Sequence, residues 1–222
     1  MAYAQFPQIS ARATSLRDQV SESIRAGLIT GELAPGEIYS APQLAAQMGV
    51  SATPVREAML YFEREGMVTK MRNTGYKVTE LSAEILDGAA EARILLEVPT
   101  MAKIARTCTG ETAEKVEELR GLAHMLNDAA ERGDLVSYLQ ADLRFHCDFL
   151  ALAGNPVIVE TVSSLRTRSR VTGLRPLAEA GNLVNSSREH EAMIDAALAQ
   201  DAAAMEAIVR THIGHVRKEW AD

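Results

Sequence analysis

Aromatic residues are scarce in this 222-residue chain, at 5% against 47% hydrophobic overall, so its core must be built from aliphatic side chains and Ala. An Ala-rich, strand-poor composition of this kind favours helix. No run of 18 or more apolar residues occurs, so no membrane span is expected. The first twenty residues, MAYAQFPQISARATSLRDQV, lack a basic leader followed by an apolar segment, which argues against a secretory signal. Cysteine is limited to Cys108 and Cys147, which match no spaced metal or redox motif and point to a reducing cytoplasm. Cys147 reads as a core thiol rather than a nucleophile.

Positive charge is also in short supply: the net charge is −7, which taken as a sum argues against a nucleic-acid partner. Its distribution changes that conclusion. Residues 1–80 carry eight Lys/Arg and eight Asp/Glu, so the whole negative surplus lies in 81–222. A neutral first segment with a few well-placed cations can bind DNA, with a phosphate contribution small enough per chain that a dimer is expected.

What is present in 1–80 is a helix-turn-helix pattern. Leu16, Val20, Ile24 and Leu28 recur at fours within 13–29, with Thr14 or Ser15 as cap, and GELAPGE (31–37) ends that helix. Ser40 with Gln43 three residues on is a capping box, with Pro42 in the first turn, so a second helix is expected over 41–48. Gly49 suits the tight turn, and Ser51 or Thr53 can cap a third helix that has Pro54 in its first turn. Val55, Ala58, Met59 and Phe62 share its inner face, leaving Ser51, Thr53 and Arg56 at the exposed end that enters a major groove. After Gly66, MVTKM and YKVTEL alternate as two short strands joined by Arg72-Asn73-Thr74-Gly75. Three helices and a hairpin make a winged helix whose Lys70, Arg72 and Lys77 can reach phosphate.

Beyond Leu81 the pattern is helical, with segments expected at 83–107, 111–132, 134–153, 155–171, 183–199 and 201–220 and a linker at 173–181. The fold class is therefore mainly α: a winged helix-turn-helix over 1–80 and an all-α antiparallel bundle over 81–222. Polar residues interrupt the bundle's apolar stripes. Asp142 and His146 sit one turn apart among Tyr138, Leu139, Phe145 and Phe149; His190 lies in line with Leu183, Met193 and Ile194, and His212 with Met205, Ile208, Val209 and Val216. Each alone reads as a hydrogen-bonded core residue. Together they form a candidate divalent metal site with N and O donors suited to Zn²⁺ first, and to Ni²⁺ or Mn²⁺. His215 lies at the edge of its stripe as a candidate neighbour of the ligands, and His124 reads as surface. Arg93 falls among Leu86, Ala89, Ala90 and Ile104, where either Glu97 pairs with it internally or it offers a fork to a ligand carboxylate.

These residues carry a resemblance. GELAPGE, LAAQMGVSATPVREAM and EREGMV…NTGYKV, followed by Arg93-Ile-Leu-Leu-Glu97, Asp142-x3-His146, Ala153-Gly154-Asn155, Glu189-His190 and His212, resemble GntR-type transcription regulators of the FadR branch that carry an FCD domain. The likeness spans about residues 14–220, and six bundle helices match the VanR-like variant. It implies a homodimer on a palindromic operator, and a bundle that binds a metal through Asp142, His146, His190 and His212 and a small organic acid through Arg93. It also implies DNA contacts from Ser51, Thr53, Arg56 and the wing tip Arg72, Asn73, Thr74 and Gly75. One departure stands out: many relatives have Arg directly after the Ser of this motif, and here that position is Ala52, which shifts base reading toward Arg56 and the wing. The expected function is a ligand-responsive DNA-binding regulator, acting as a repressor and not as an enzyme. The competing readings are a metal-dependent enzyme fused to a DNA-binding module and a constitutive DNA-binding dimer with a structural bundle.

Overall fold

The computed structural model describes residues 15–179 and 181–218. The order of elements is α1 (Leu16–Thr30), β1 (Ile38–Tyr39), α2 (Ala41–Met48), α3 (Ala52–Arg64), β2 (Val68–Met71), β3 (Gly75–Val78), then seven helical segments. These are α4 (Ala83–Arg106), α5 (Glu111–Glu118), α6 (Arg120–Arg132), α7 (Leu135–Ala151), α8 (Pro156–Glu179), α9 (Leu183–Leu198) and α10 (Ala202–Lys218). No helix among the described residues is long and apolar enough to cross a membrane.

The head is built as its local signals dictate. Ser15 caps α1 in a capping box with Asp18, while Thr14 lies outside the described residues. Ser40 and Gln43 form the second box, and Gly49 closes α2 in the left-handed conformation at φ 66°. α3 buries Val55, Ala58, Met59 and Phe62 and leaves Ser51, Thr53 and Arg56 exposed. Ser51 takes the extended backbone of a cap, but its hydroxyl makes no capping hydrogen bond. The donor side chain is free for a partner.

The expected hairpin gains a strand. β1 pairs antiparallel with β3, giving a sheet in the order β1-β3-β2 with Tyr39 opposite Tyr76 and Lys70 opposite Tyr76 from the other side. Two residues are too few for a period-2 pattern to register, so the sequence offered no signal for β1. The Tyr39 hydroxyl accepts from the Ala34 amide at 2.9 Å and so fixes the loop that delivers the strand. Gly75, at φ 150°, lies against the Tyr39 carbonyl, which a Cβ at this position would strike.

In the bundle α10 lies along α4, and α7 packs between α6 and α8. Two boundaries differ from the sequence reading. The expected helix 111–132 is divided at Leu119 into α5 and α6, although the dihedrals of Leu119 itself stay helical (φ −66°, ψ −16°). The expected linker at 173–181 is mostly helix, since α8 continues past Gly173 and Pro176 to Glu179. Gly and Pro propensities are local priors, and here α8 is already anchored upstream by buried Val162, Arg166 and Ser169. The environment of the Val216 side chain and residues 219–220 lie outside the described residues.

Candidate functional site

α7 contributes Asp142 and His146, α9 His190 and α10 His212, and the four side chains are fully buried, with one ligand atom from each lying within 4.8 Å of the others. Why they converge follows from the stripes: each sits among apolar neighbours, Tyr138, Phe145 and Phe149 on α7 and Met193, Ile194 and Ala197 on α9. Burying the stripe buries the donors with it.

The imidazoles are oriented by what their Nδ1 atoms meet. His190 Nδ1 donates to the Ser187 carbonyl at 2.9 Å, His212 Nδ1 stands 2.8 Å from Glu189 Oε2, and His146 Nδ1 is 3.3 Å from Glu97 Oε2. The Nε2 atoms of His146 and His190 turn toward Asp142. His146 Nε2 lies 3.2 Å from His190 Nε2, and Asp142 Oδ1 is 3.5 Å from His190 Nε2 and 4.0 Å from His146 Nε2. Donors about 2.0–2.2 Å from one tetrahedral ion stand roughly 3.3–3.6 Å apart; Asp142, His146 and His190 are near that spacing, and the full set of four, within 4.8 Å, has to contract to close on a cation. Burial and the neighbouring Arg166 charge lower the His146 imidazole to about 3, against the pull of Glu97 and Asp142. A ring held neutral is the form that binds metal.

Around the donors is a second set that the sequence reading found only in part. Arg93 Nε donates to Glu97 Oε1 at 2.7 Å, so the internal partner considered for Arg93 is present. Arg166 is 1% exposed; its Nη1 donates to Asp142 Oδ2 at 3.3 Å and its Nη2 is 3.5 Å from Glu97 Oε2. Burial alone would raise the Glu97 carboxyl, but Arg166 and Arg93, with His146, reverse this and hold it well below the usual carboxylate range. Arg166 was missed, although Val162 and Ser169 flank it on one buried face as apolar neighbours flank Arg93. His215 Nε2 shares Glu189 with His212, at 2.8 Å from Oε1, and His124 is surface, 64% exposed. Cys108 is buried and Cys147 is half-buried; both are free thiols, raised by burial.

On the head, Arg72, Asn73 and Thr74 are exposed at the hairpin tip, as are Lys70 and Lys77. Gly75 sits where β3 meets β1, so the glycine is required by the sheet itself. Ala52 is half-buried as the first residue of α3.

A winged three-helix head followed by an all-α body is the architecture of a DNA-binding transcription regulator. Residues 16–78 match the bacterial regulatory proteins of the gntR family and residues 89–215 match the FCD domain. The chain belongs to the GntR family, in the branch that carries an FCD domain. It is similar to the HTH-type transcriptional regulator McbR of Escherichia coli K12, 30% identical over 176 residues, covering 79% of this chain and 77% of McbR. It is also similar to the HTH-type transcriptional repressor GlaR of the same organism, 25% identical over 198 residues, 84% and 87% of the two chains. Among solved structures, E. coli McbR/YncC superposes with a TM-score of 0.71 at 25% identity, covering 90% of this chain and 94% of that one. A GntR regulator from Rhodococcus sp. RHA1 shares the fold at 19% identity, TM-score 0.70, covering 92% and 97%. These relatives are regulators, not enzymes.

Proposed function

We propose that the protein is a metabolite-responsive repressor that binds a palindromic operator as a homodimer, with 1–80 reading DNA and 81–222 sensing a small organic acid through a bound divalent ion. The observation that carries this reading is the charge of the buried centre. Glu97 and Asp142 balance Arg93 and Arg166, Glu189 adds one negative charge behind His212, and the three histidines are donors without charge in the form that binds metal. A divalent ion held by Asp142, His146, His190 and His212 makes the centre positive and favours an anion. When bound, that ion supplies electrostatic attraction for a carboxylate, and Zn²⁺ suits the donors best, ahead of Ni²⁺ or Mn²⁺. Glu97 behind His146 and Glu189 behind His212 orient the rings, as carboxylates commonly do for metal-binding imidazoles. Arg93, buried against Glu97, keeps its place as an acid contact.

For DNA, Ser51, Thr53 and Arg56 at the exposed start of α3 meet bases and phosphate, and Arg72, Asn73, Thr74 and Gly75 form the wing that reaches the neighbouring backbone. A dimer is supported by an unpartnered apolar stripe on α4: Ile85 (52% exposed), Ala92, Leu95 (68% exposed) and Pro99 follow one another along one side. A DNA target places the work in the cytoplasm. The test is elemental analysis after metal reconstitution, paired with a gel-shift titration using small acids. One ion per protomer is expected in the native protein and none in His146→Ala/His190→Ala, with at least one acid weakening operator binding only when metal is present. Equal metal content in the two preparations, or operator affinity indifferent to every acid that binds, would sink the proposal.

A further inference from the structure

The face that α3 offers to DNA has an acid near its centre. Val55, Ala58, Met59 and Phe62 are buried in the head. At helical spacing the direction opposite that stripe is taken by Thr53, Glu57 and Leu60, all exposed, with exposed Arg56 at the flank. Further along, the helix turns to the bundle, where Tyr61, Arg64 and Glu65 line the seam with α7 and α8. The stretch 51–60 is what remains to enter a groove. Its one basic residue is Arg56, because the position after Ser51 is Ala52.

Glu57 has no task in the fold. Among the described residues no side chain pairs with it. Near phosphate an unpaired carboxylate only repels the duplex, but against base edges it is an acceptor in search of an amino donor. The major groove presents two such donors, N4 of cytosine and N6 of adenine. Adenine sets its N7 acceptor beside N6, against the second carboxylate oxygen, whereas cytosine has only its apolar C5 edge on that side. Leu60, three residues on along the same face and 39% exposed, suits that apolar edge and would exclude water from the pair. A guanine or thymine at the same place sets an acceptor against the carboxylate, so the wrong base is rejected by repulsion as well as by a lost hydrogen bond.

We infer that Glu57 is a specificity-determining residue, whose carboxylate accepts a hydrogen bond from the N4 amino group of a cytosine in each half of the operator, with Leu60 against the C5 edge of that base. This assignment rests on the operator-binding reading above and divides the labour on the head: the cations of α3 and the wing supply affinity for any duplex, and an acid supplies the choice among duplexes.

The full-length protein is used to select binding sites from duplexes with a randomised centre, and the selection is repeated with Glu57→Gln and Glu57→Ala, with melting temperature measured for all three. The native protein should require cytosine at one position of each half-site. Glu57→Gln should move that position to adenine, because an amide donates to N7 while it accepts from N6. Glu57→Ala should lose the preference there and keep it everywhere else, with melting unchanged. In gel shifts, replacing that one base pair should weaken the native protein roughly 5- to 150-fold and leave Glu57→Ala almost indifferent. An unchanged selected sequence in both variants, with Glu57→Ala gaining affinity evenly for every duplex, makes Glu57 a solvated acid and overturns the assignment while the operator reading stands. Loss of preference at many positions together with a lowered melting temperature makes its role structural and also overturns it. If the native protein selects no sequence at all, the operator reading falls and Glu57 falls with it.

Discussion

Arg56 at the start of α3 and Arg166 in the middle of α8 are the same residue type under opposite conditions, the first exposed and the second 1% exposed between two carboxylates. The contrast extends to their surroundings. The head keeps its polar side chains in water, where each can change without disturbing the fold, and the bundle keeps Arg93, Glu97, Asp142, Arg166 and three histidines out of water, where each constrains the rest. A surface that meets DNA can thus be altered residue by residue. A buried centre has to be altered as a set.

The contrast is broken most severely by Glu97→Ala. This change leaves Arg93 and Arg166 without their shared counter-charge and should destabilise the protein by about 3–5 kcal/mol, a fall in melting temperature of roughly 2–4 °C per kcal/mol for a chain of this size. Arg56→Ala, in contrast, should leave melting unchanged within about 0.5 kcal/mol while costing about 1–3 kcal/mol in operator binding. Calorimetry and gel shifts on both variants decide it; a stable Glu97→Ala would show that the buried pairs are not interdependent. A smaller effect is expected from Gly75→Ala, because the added Cβ meets the Tyr39 carbonyl and the backbone there is at φ 150°. About 1–3 kcal/mol of strain should appear as lower stability and weaker DNA binding, although Gly75 lies at the edge of the exposed wing. Smallest is the pair of cap variants. Ser40→Ala should cost about 1 kcal/mol because its hydroxyl accepts from the Gln43 amide, and Ser51→Ala should cost almost nothing in stability because its hydroxyl caps nothing. Equal melting shifts for the two would show that Ser51 serves the fold rather than a partner.

Legibility in the sequence follows the range of each interaction. The α2 capping box, the Ser15 cap of α1, the inner face of α3 and the stripes of α7 and α9 are spelled by residues three or four apart and are present, as are Met205, Val209 and His212 on α10. The four donors were legible for the same reason, since a polar residue on an apolar stripe is conspicuous. β1 was not, because a two-residue strand exists only through pairing with β3, almost forty residues later. The break at Leu119 and the extension of α8 past Gly173 carry no local signal of that kind either. Glu97 as a partner for Arg93 is one of the two readings that i,i+4 spacing offers, but its approach to His146 depends on the relative depth of α4 and α7, which no spacing within one helix specifies. Arg166 is open to the same stripe argument as Arg93, with Val162 and Ser169 on its buried face, although its helix carries no histidine.

The pairing of β1 with β3 also limits how the head can respond. β1 leads directly into Ser40 and α2, so the wing is stitched to the chain that begins the helix-turn-helix, and Gly75 leaves no slack at the seam. The wing therefore has no hinge of its own relative to the helix it flanks. Grip on the groove and grip on the adjacent backbone become a single coordinate, and any signal that tilts the head must strengthen or release both at once.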